Sequence, residues 1–169
     1  MDYATLDDLV RVSVSGWPEL AQRATRDARI TAPMLRTVAT GGDTAGFPAD
    51  LVAIAAEGVE VLRDQIAAAS RHADTFLANR YPGGLTAEQL AASDLSTVVA
   101  TIAWRRMFGP SVDETVLKAT KWADDYLRDV ANGVVSLGAA AASGPDESGE
   151  VLYHFSRRTV TDDDIAGFA

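Results

Sequence analysis

The side chains that could do chemistry are few in this 169-residue sequence, and they lie far apart along it. The two histidines are His72 and His154. A catalytic histidine needs a nucleophile or an orienting carboxylate beside it. His72 falls on a predicted helix, where a surface or edge position accounts for it, and His154 falls in a segment that we expect to be flexible. The chain has no cysteine, which excludes a thiolate zinc site and a cysteine nucleophile.

The acidic runs lack the spacing of a metal site or an acid/base pair. Asp162-Asp163-Asp164 offers three carboxylates, but a calcium loop staggers its ligands around a glycine turn. We interpret this run as a solvated cap ahead of a terminal helical turn, or as a partner for basic residues on a neighbour. Asp124 and Asp125 are adjacent on a predicted helix, so their side chains point about 100° apart. The sequence therefore predicts no enzyme, no cofactor and no metal site.

The overall charge argues against general nucleic-acid binding. The chain has 24 acidic and 15 basic residues and a formal net charge of −9, and a surface of that sign repels phosphate. One basic and aromatic cluster, Trp104-Arg105-Arg106, lies on a predicted helix. It leaves open an alternative function, that of a small DNA-binding regulatory protein that uses Arg105 and Arg106. An enzyme that depends on His72 is a third, weaker alternative.

The elements that must position these side chains are helices. Three stretches, at residues 59–80, 94–108 and 113–132, have apolar side chains three and four residues apart, as in amphipathic helices. Short connections join them, so they should pack as a bundle. The apolar positions are Val59, Leu62, Ile66, Ala69, Ala73, Phe76 and Leu77 in the first stretch, Leu95, Val98, Val99, Ile102, Ala103 and Met107 in the second, and Val116, Thr120, Ala123, Leu127 and Val130 in the third.

Local signals predict where the helices begin and end. Thr5 to Asp8 has the form of a capping box and opens a short helix that ends near Ser13, and a second short helix is predicted from Glu19 to Arg29. A long internal loop follows at Thr40–Pro48, which is rich in turn-forming residues. The other boundary signals are predicted N-caps at Asp50 and Ser93, a weak point at Gly58, and a left-handed C-terminal cap at Gly133.

The character of the chain changes after Gly138. Residues 139–150 are small, polar and turn-prone, which is typical of a linker, and Val151–Phe155 has the composition of a short strand. We therefore predict an all-α fold, a small helical bundle with a long internal loop and an extended C-terminal arm that carries one short β-strand. The predicted domains are a helical domain at residues 1–138 and a flexible arm at residues 139–169, which becomes ordered on a partner.

The sequence carries no membrane or export signal. No apolar run approaches the roughly 20 residues that span a bilayer, and the N-terminus lacks the pattern of a signal peptide. We expect a protein that is cytoplasmic when it is made and that has no membrane partner.

Three segments, taken in order, resemble a known family. They are Tyr3–Leu9 (YATLDDL), Ala69–Pro82 (ASRHADTFLANRYP) and Trp122–Gly138 (WADDYLRDVANGVVSLG). They are similar to the Mu-like prophage family of head-completion or neck proteins, whose members have an alanine-rich helix ending in Arg-Tyr and a final helix reading roughly Leu-Arg-Asp-x-x-x-Gly-x-x-Ser-Leu. The resemblance covers residues 1–15, 60–138 and 151–168, and the sequence departs from it at about residues 21–58.

The resemblance implies a structural subunit of a phage particle and no catalytic residues. Such a subunit is a head–tail adaptor in the neck of the virion, present in the host cytoplasm before assembly. It forms a ring, commonly of about a dozen copies, between the portal protein and a neck protein on the tail side. Genomic DNA passes through the lumen without sequence-specific contact, and an acidic lining would let it slide.

The expected partner interface lies in the arm and in one loop. In the arm we expect the apolar side chains to act as anchors and the arginines as charged partners, and we expect the connection from Tyr81 to Ala92 to reach the lumen or the neighbouring ring. The predicted interface residues are Tyr153, Phe155, Arg157, Arg158, Ile165 and Phe168 in the arm, and Tyr81 and Leu85 in the loop.

Overall fold

The protein is seen in a computed structural model that describes residues 2–137. Over those residues it is all-α, as the periodicity predicted. The elements are α1 (Leu6–Val12), α2 (Trp17–Thr25), α3 (Ala32–Ala39), α4 (Ala49–Leu77), α5 (Ala87–Ala91), α6 (Leu95–Arg106), a 3₁₀ turn (Gly109–Ser111) and α7 (Glu114–Ala131). The predicted strand at Val151–Phe155 and the arm at residues 139–169 lie outside the described residues.

Helix α6 is the centre of the fold. It packs against α1, α4 and α7, and α4 and α7 also pack against each other, so the predicted three-helix bundle is present. The sequence analysis gave α6 a single apolar face, and this was wrong, because α1 covers the side that was expected to meet solvent. From Val98 to Trp104 the helix is buried all round, and the buried residues of α6 are Leu95, Val98, Val99, Ala100, Thr101, Ile102, Ala103 and Trp104.

Helix α4 is a continuous spine of 29 residues. Its N-cap position, Pro48, lies two residues before the N-cap predicted at Asp50, and the predicted weak point at Gly58 does not interrupt it, so the stretch predicted at residues 59–80 is the second part of one longer helix. Gly58 is buried because α2 and α3 pack closely across it: a Cβ at this position would lie 2.5 Å from Cγ2 of Thr25 and 3.5 Å from Cδ1 of Leu35. Glycine at this position is therefore explained by packing and not by a break in the helix.

The N-terminal helices agree only in part with the prediction. The capping box of α1 is confirmed, since the Asp8 amide donates to Oγ1 of Thr5 (3.2 Å) and the Thr5 amide donates to Oδ2 of Asp8 (2.9 Å). The second helix runs from Trp17 to Thr25 and not from Glu19 to Arg29, because Arg26 takes up a left-handed conformation with φ of 55°. Helix α3 was not predicted. Thr31 caps it, and its buried residues are Met34 and Leu35.

The remaining boundary signals have mixed outcomes. Ser93 does not cap α6, because its hydroxyl donates to the carbonyl of Leu90 and Asp94 holds the N-cap position. Asp50 does not cap α4, whose N-cap position is Pro48. Gly133 follows α7 with φ of +80°, as a left-handed cap requires. In the described part of the chain, no helix has both the length and the apolar character to cross a membrane.

The close approach at Gly58 leads to a first prediction. The substitution Gly58→Ala should lower the free energy of unfolding by about 1–2 kcal/mol, because overpacking costs about 1–3 kcal/mol and outweighs the gain of about 1 kcal/mol in helix propensity. Urea denaturation followed by circular dichroism measures this change. Gly46→Ala is the control, since nothing lies within 4 Å of a Cβ at that position.

A second substitution tests the cause of the destabilisation. Thr25→Ser removes Cγ2 but keeps the hydroxyl that donates to the carbonyl of Ala21 at 2.8 Å. Introduced together with Gly58→Ala, it should recover much of the lost stability. If the two changes are simply additive, the contact between positions 25 and 58 is not the source of the cost.

Candidate interaction surface

Two of the predicted interface residues, Tyr81 and Leu85, lie in the described part of the chain, and the structure brings them together. They line a groove of about 230 Å³ at the C-terminal end of α4. Tyr3 and Asp74 also line it. The other six predicted interface residues, Tyr153, Phe155, Arg157, Arg158, Ile165 and Phe168, lie outside the described residues.

Tyr3 fixes one wall of this groove. Its amide donates to Oγ of Ser70 at 3.1 Å, and its hydroxyl donates to Oδ1 of Asp74 at 2.5 Å. Burial, together with the hydrogen bond and the charge of Asp74, raises the pKa of Tyr3 to about 12. Asp74 is half-buried and holds the N-terminal segment against α4.

Tyr81 fixes the point at which the chain leaves the bundle. Its hydroxyl oxygen accepts a hydrogen bond from the amide of Leu137 at 3.0 Å, and Leu137 is 2% exposed. Burial alone would raise the pKa of Tyr81, but the bonds that its oxygen receives, first from Leu137, lower it. The Arg-Tyr motif singled out in the sequence therefore ends in a side chain that anchors the last described residue.

A polar cluster joins the three helices of the bundle. Both oxygens of Asp124 on α7 accept from the guanidinium of Arg105 on α6, at 2.5 and 3.1 Å. Nε2 of His72 on α4 lies 3.6 Å from Oδ1 of the same carboxylate. Arg105 and Asp124 are largely buried, with 18% and 27% of their side-chain surfaces exposed. The cluster ties α4, α6 and α7 to one another.

This cluster changes how the histidine and the basic motif are interpreted. His72 does have a carboxylate neighbour, which sequence reasoning did not foresee, but that carboxylate is already held by Arg105. Of the two arginines in the DNA-binding alternative, Arg105 faces Asp124 and only Arg106 is exposed. Arg105 is therefore not available to contact a phosphate backbone.

A second cluster attaches α2 to α6. Oε1 of Glu19 accepts from Nε1 of Trp104 at 3.1 Å and from Nε of Arg23 at 2.8 Å. The Arg23 guanidinium lies 3.5 Å from the centre of the Phe108 ring, within the range of a cation–π contact. Burial opposes ionisation of Glu19, yet the bonds from Arg23, Ser15 and Trp104 lower its pKa. Trp104 is therefore a core residue with a polar partner.

The neighbouring aspartates of α7 have separate surroundings, as their spacing predicted. Asp125 is paired with Lys121 and Arg128 at the surface, whereas Asp124 faces the bundle. Within residues 2–137, no three carboxylate or imidazole side chains are grouped closely enough to share a metal ion. Of the side chains that sequence reasoning considered for chemistry, His72, Arg105 and Asp124 meet across the junctions of α4, α6 and α7.

The contrast between these two aspartates gives a second prediction. Asp124→Ala leaves the largely buried Arg105 without its partner and should lower the free energy of unfolding by about 2 kcal/mol. Asp125→Ala is the matched control and should change it by less than about 0.5 kcal/mol, because exposed ion pairs contribute little. Urea denaturation at neutral pH distinguishes the two, and equal effects would contradict a special role for the Asp124–Arg105 pair.

The stabilisation that Asp124 provides should depend on pH. Burial would raise the pKa of Asp124, but the hydrogen bonds and charge of Arg105, and then His72, lower it below the ordinary value of 3.8. A carboxyl group whose pKa is lower in the folded state than in the unfolded state stabilises the fold when the pH is above its unfolded-state pKa. That stabilisation is lost as the pH falls through the folded-state pKa. The stability difference between the wild type and Asp124→Ala should therefore be complete at neutral pH and shrink below about pH 4.

A third prediction concerns the anchor at Tyr81. Tyr81→Phe removes the acceptor for the Leu137 amide, so that amide should exchange with solvent about five- to tenfold faster, as expected for the loss of roughly 1 kcal/mol. Hydrogen exchange followed by NMR measures the rate. Tyr3→Phe, which removes a hydroxyl from the same groove but not the bond to Leu137, should leave the Leu137 rate unchanged. An unaltered rate in Tyr81→Phe would show that the bond does not hold the end of the bundle.

Comparison with known proteins places the chain in a family. Residues 3–154 match the model of the family described as "Bacteriophage Mu, Gp36". No match was found among curated proteins or among solved structures. The matched range contains residues 21–58, where the sequence departs from the resemblance, as well as the Arg-Tyr motif and the whole helical bundle. Because the match extends over most of the 169 residues, the chain belongs to the Bacteriophage Mu Gp36 family.

Proposed function

We propose that this chain is a structural subunit of the phage particle, a head–tail adaptor that forms a ring in the neck of the virion. Membership of a bacteriophage Mu family supports a role in the particle. In this proposal the ring, of about a dozen copies, lies between the portal protein and a tail-side neck protein. The subunit is made in the host cytoplasm and needs no cofactor.

The observation that carries the proposal is the anchoring of Leu137 on Tyr81. It holds the last described residue next to Tyr81, which with Leu85 lines the groove. The residues beyond it include the aromatic side chains Tyr153 and Phe155 and the pair Arg157-Arg158. Aromatic and arginine side chains are the types that contribute most to protein interfaces. A bundle with such an arm suits contacts between a subunit and its neighbours.

Exposed apolar side chains on the bundle offer a surface for contacts between copies. On α7, Leu117 and Trp122 are 45% and 44% exposed, and on α4 Val61 is 40% exposed. Tryptophan is among the residues most enriched in the centres of interfaces. We propose that α7 contributes to the ring contact and that Trp122 is buried there.

The charge of the chain suits a passage for DNA. With a formal charge of −9, a ring of many copies would present an acidic lumen to the genome. An acidic wall repels phosphate and gives no sites at which DNA is retained. The polar clusters described above connect helices to one another, which is consistent with a structural role and leads us to propose that the chain is not an enzyme.

The fourth prediction tests this function through the arm. A chain that ends at Gly138 should keep its helical circular dichroism but should fail to join the particle, because the arm's contacts to the portal or to an adjacent copy are gone. The measurement is the yield of complete particles in a host that supplies only the altered chain, with negative-stain imaging of the purified protein mixed with portal. A full-length chain in which the order of residues 139–150 is reversed keeps the length and composition of the linker and serves as the control.

The outcomes separate the proposal from its alternatives. Rings seen with the full-length chain and lost with the truncated one would support the adaptor. Normal particle yield from the truncated chain would overturn the role of the arm, and a full-length chain that stays monomeric with portal would overturn the adaptor itself. Salt-sensitive DNA binding that is lost in Arg106→Ala would instead favour the regulatory alternative.

A further inference from the structure

Helices α1, α2 and α3 line an apolar groove that the proposed function does not use. It has a volume of about 610 Å³ and is open to solvent; we call it the α2–α3 groove. Val10, Trp17, Pro18 and Pro33 supply its apolar lining, and Arg36 stands at its edge. This volume is in the range of about 300–1,000 Å³ that accommodates a bound ligand with a few large side chains.

The α2–α3 groove continues into a second depression along α2. That depression measures about 410 Å³ and shares Pro18 and Ala32 with the groove. It adds Arg26 to the lining. The two together form an apolar channel with an arginine in each half, a lining that suits a peptide segment with both apolar and acidic side chains.

The charge around this channel is opposite to that of the protein as a whole. Residues 11–40 contain five arginines against two carboxylates. Both carboxylates, Glu19 and Asp27, are paired with arginines. Among residues 2–137, no carboxylate lies within 4 Å of the Arg26 or Arg36 guanidinium. This part of an otherwise acidic chain therefore carries an excess of positive charge, and it borders the α2–α3 groove.

One segment of the chain has the complementary chemistry. Residues 162–168 read Asp-Asp-Asp-Ile-Ala-Gly-Phe, three consecutive carboxylates followed by two large apolar side chains. We infer that this segment docks in the α2–α3 groove of its own chain, with Ile165 and Phe168 on the apolar lining and the aspartates beside Arg36 and Arg26. Hydrogen bonds between arginine and carboxylate are among the strongest that proteins make.

The connection is long enough for the docking to occur within one chain. Leu137 is anchored at the C-terminal end of α4, and Gly58 marks where α2 and α3 cross the same helix. At the rise of an α-helix, the end of α4 at Leu77 lies about 28 Å from Gly58 along the helix axis. Residues 138–161 could span at most about 80 Å when fully extended, and a coil of that length has a mean end-to-end distance of about 27 Å. A tether whose length matches the gap gives an effective concentration in the millimolar range, which favours docking in cis.

Docking in cis would give the arm two states, one bound to its own bundle and one bound to a partner in the particle. The inference deepens the proposed function and rests on it for the identity of that partner. In the free subunit the apolar anchors Ile165 and Phe168 are covered by the groove. In the particle they pass to the partner, whose contacts must outweigh the groove. Such an exchange would keep isolated subunits from associating through their arms before a portal is present.

The absence of cysteine allows a direct test on the full-length chain, and this is the fifth prediction. Ala169→Cys, labelled with a nitroxide, places a single paramagnetic centre at the end of the segment. In the isotope-labelled protein the Trp17 indole and the Thr37 amide should lose most of their NMR intensity relative to the reduced label. Signals of α7, such as the Trp122 indole, should keep theirs.

Matched variants identify the contacts. Arg36→Glu and the pair Ile165→Ser with Phe168→Ser should each restore the Trp17 and Thr37 signals. Lys118→Glu, which changes the net charge as Arg36→Glu does but lies on the exposed surface of α7, should not. Raising the salt concentration should weaken the broadening, because exposed ion pairs are screened.

The outcomes decide the inference without reference to particle assembly. Broadening at the groove within one labelled chain supports it. Equal broadening when spin-labelled chains are mixed with separately isotope-labelled ones would overturn docking in cis and assign the groove to a second copy. Intact Trp17 and Thr37 signals in both samples would overturn the inference altogether, and the head–tail adaptor proposal would stand or fall separately on the particle assay.

Discussion

The fold depends on the burial of α6 on every side between Val98 and Trp104. A helix with an apolar stripe on one face can pack on a bundle, but a helix that is buried all round over two turns needs neighbours on every side. Here α1, α4 and α7 supply them, and small side chains such as Ala100 and Ala103 let those neighbours approach. Removal of any one of the three would expose apolar surface on the central helix. The first short helix, which looks peripheral in the sequence, is therefore part of the core.

The sequence predicted the helices whose apolar side chains recur at regular spacing. It did not predict the features that depend on contacts between distant segments. The stripes of α4 and α7 could be recognised because apolar side chains recur at helical spacing on one face. The burial of α6 could not, because its covering helix, α1, lies far away along the chain and has only seven residues. Helix α3 was missed because its two buried residues, Met34 and Leu35, are adjacent and give no periodic pattern. Gly58 was interpreted as a break because a close approach between helices leaves no mark in a local window.

The candidate site was predictable to a similar degree. Tyr81 and Leu85 were identified from their place after an alanine-rich helix, and they share one groove. Their partners Tyr3 and Asp74 come from distant parts of the sequence, and no spacing rule links them. The pair of Arg105 and Asp124 could not be predicted either, because the two residues lie on separate helices and meet only when the bundle forms. In the folded bundle Arg105 and Asp124 join α6 to α7.

The bond between Tyr81 and Leu137 also has a mechanical consequence. Tension applied to residues beyond Leu137 reaches α7 directly through the backbone of residues 132–136. The bond to Tyr81 adds a second point of attachment, just after the C-terminal end of α4. A pull on the last described residue is therefore shared between the two longest described helices, both of which pack against α6, before it reaches the short helices at the surface.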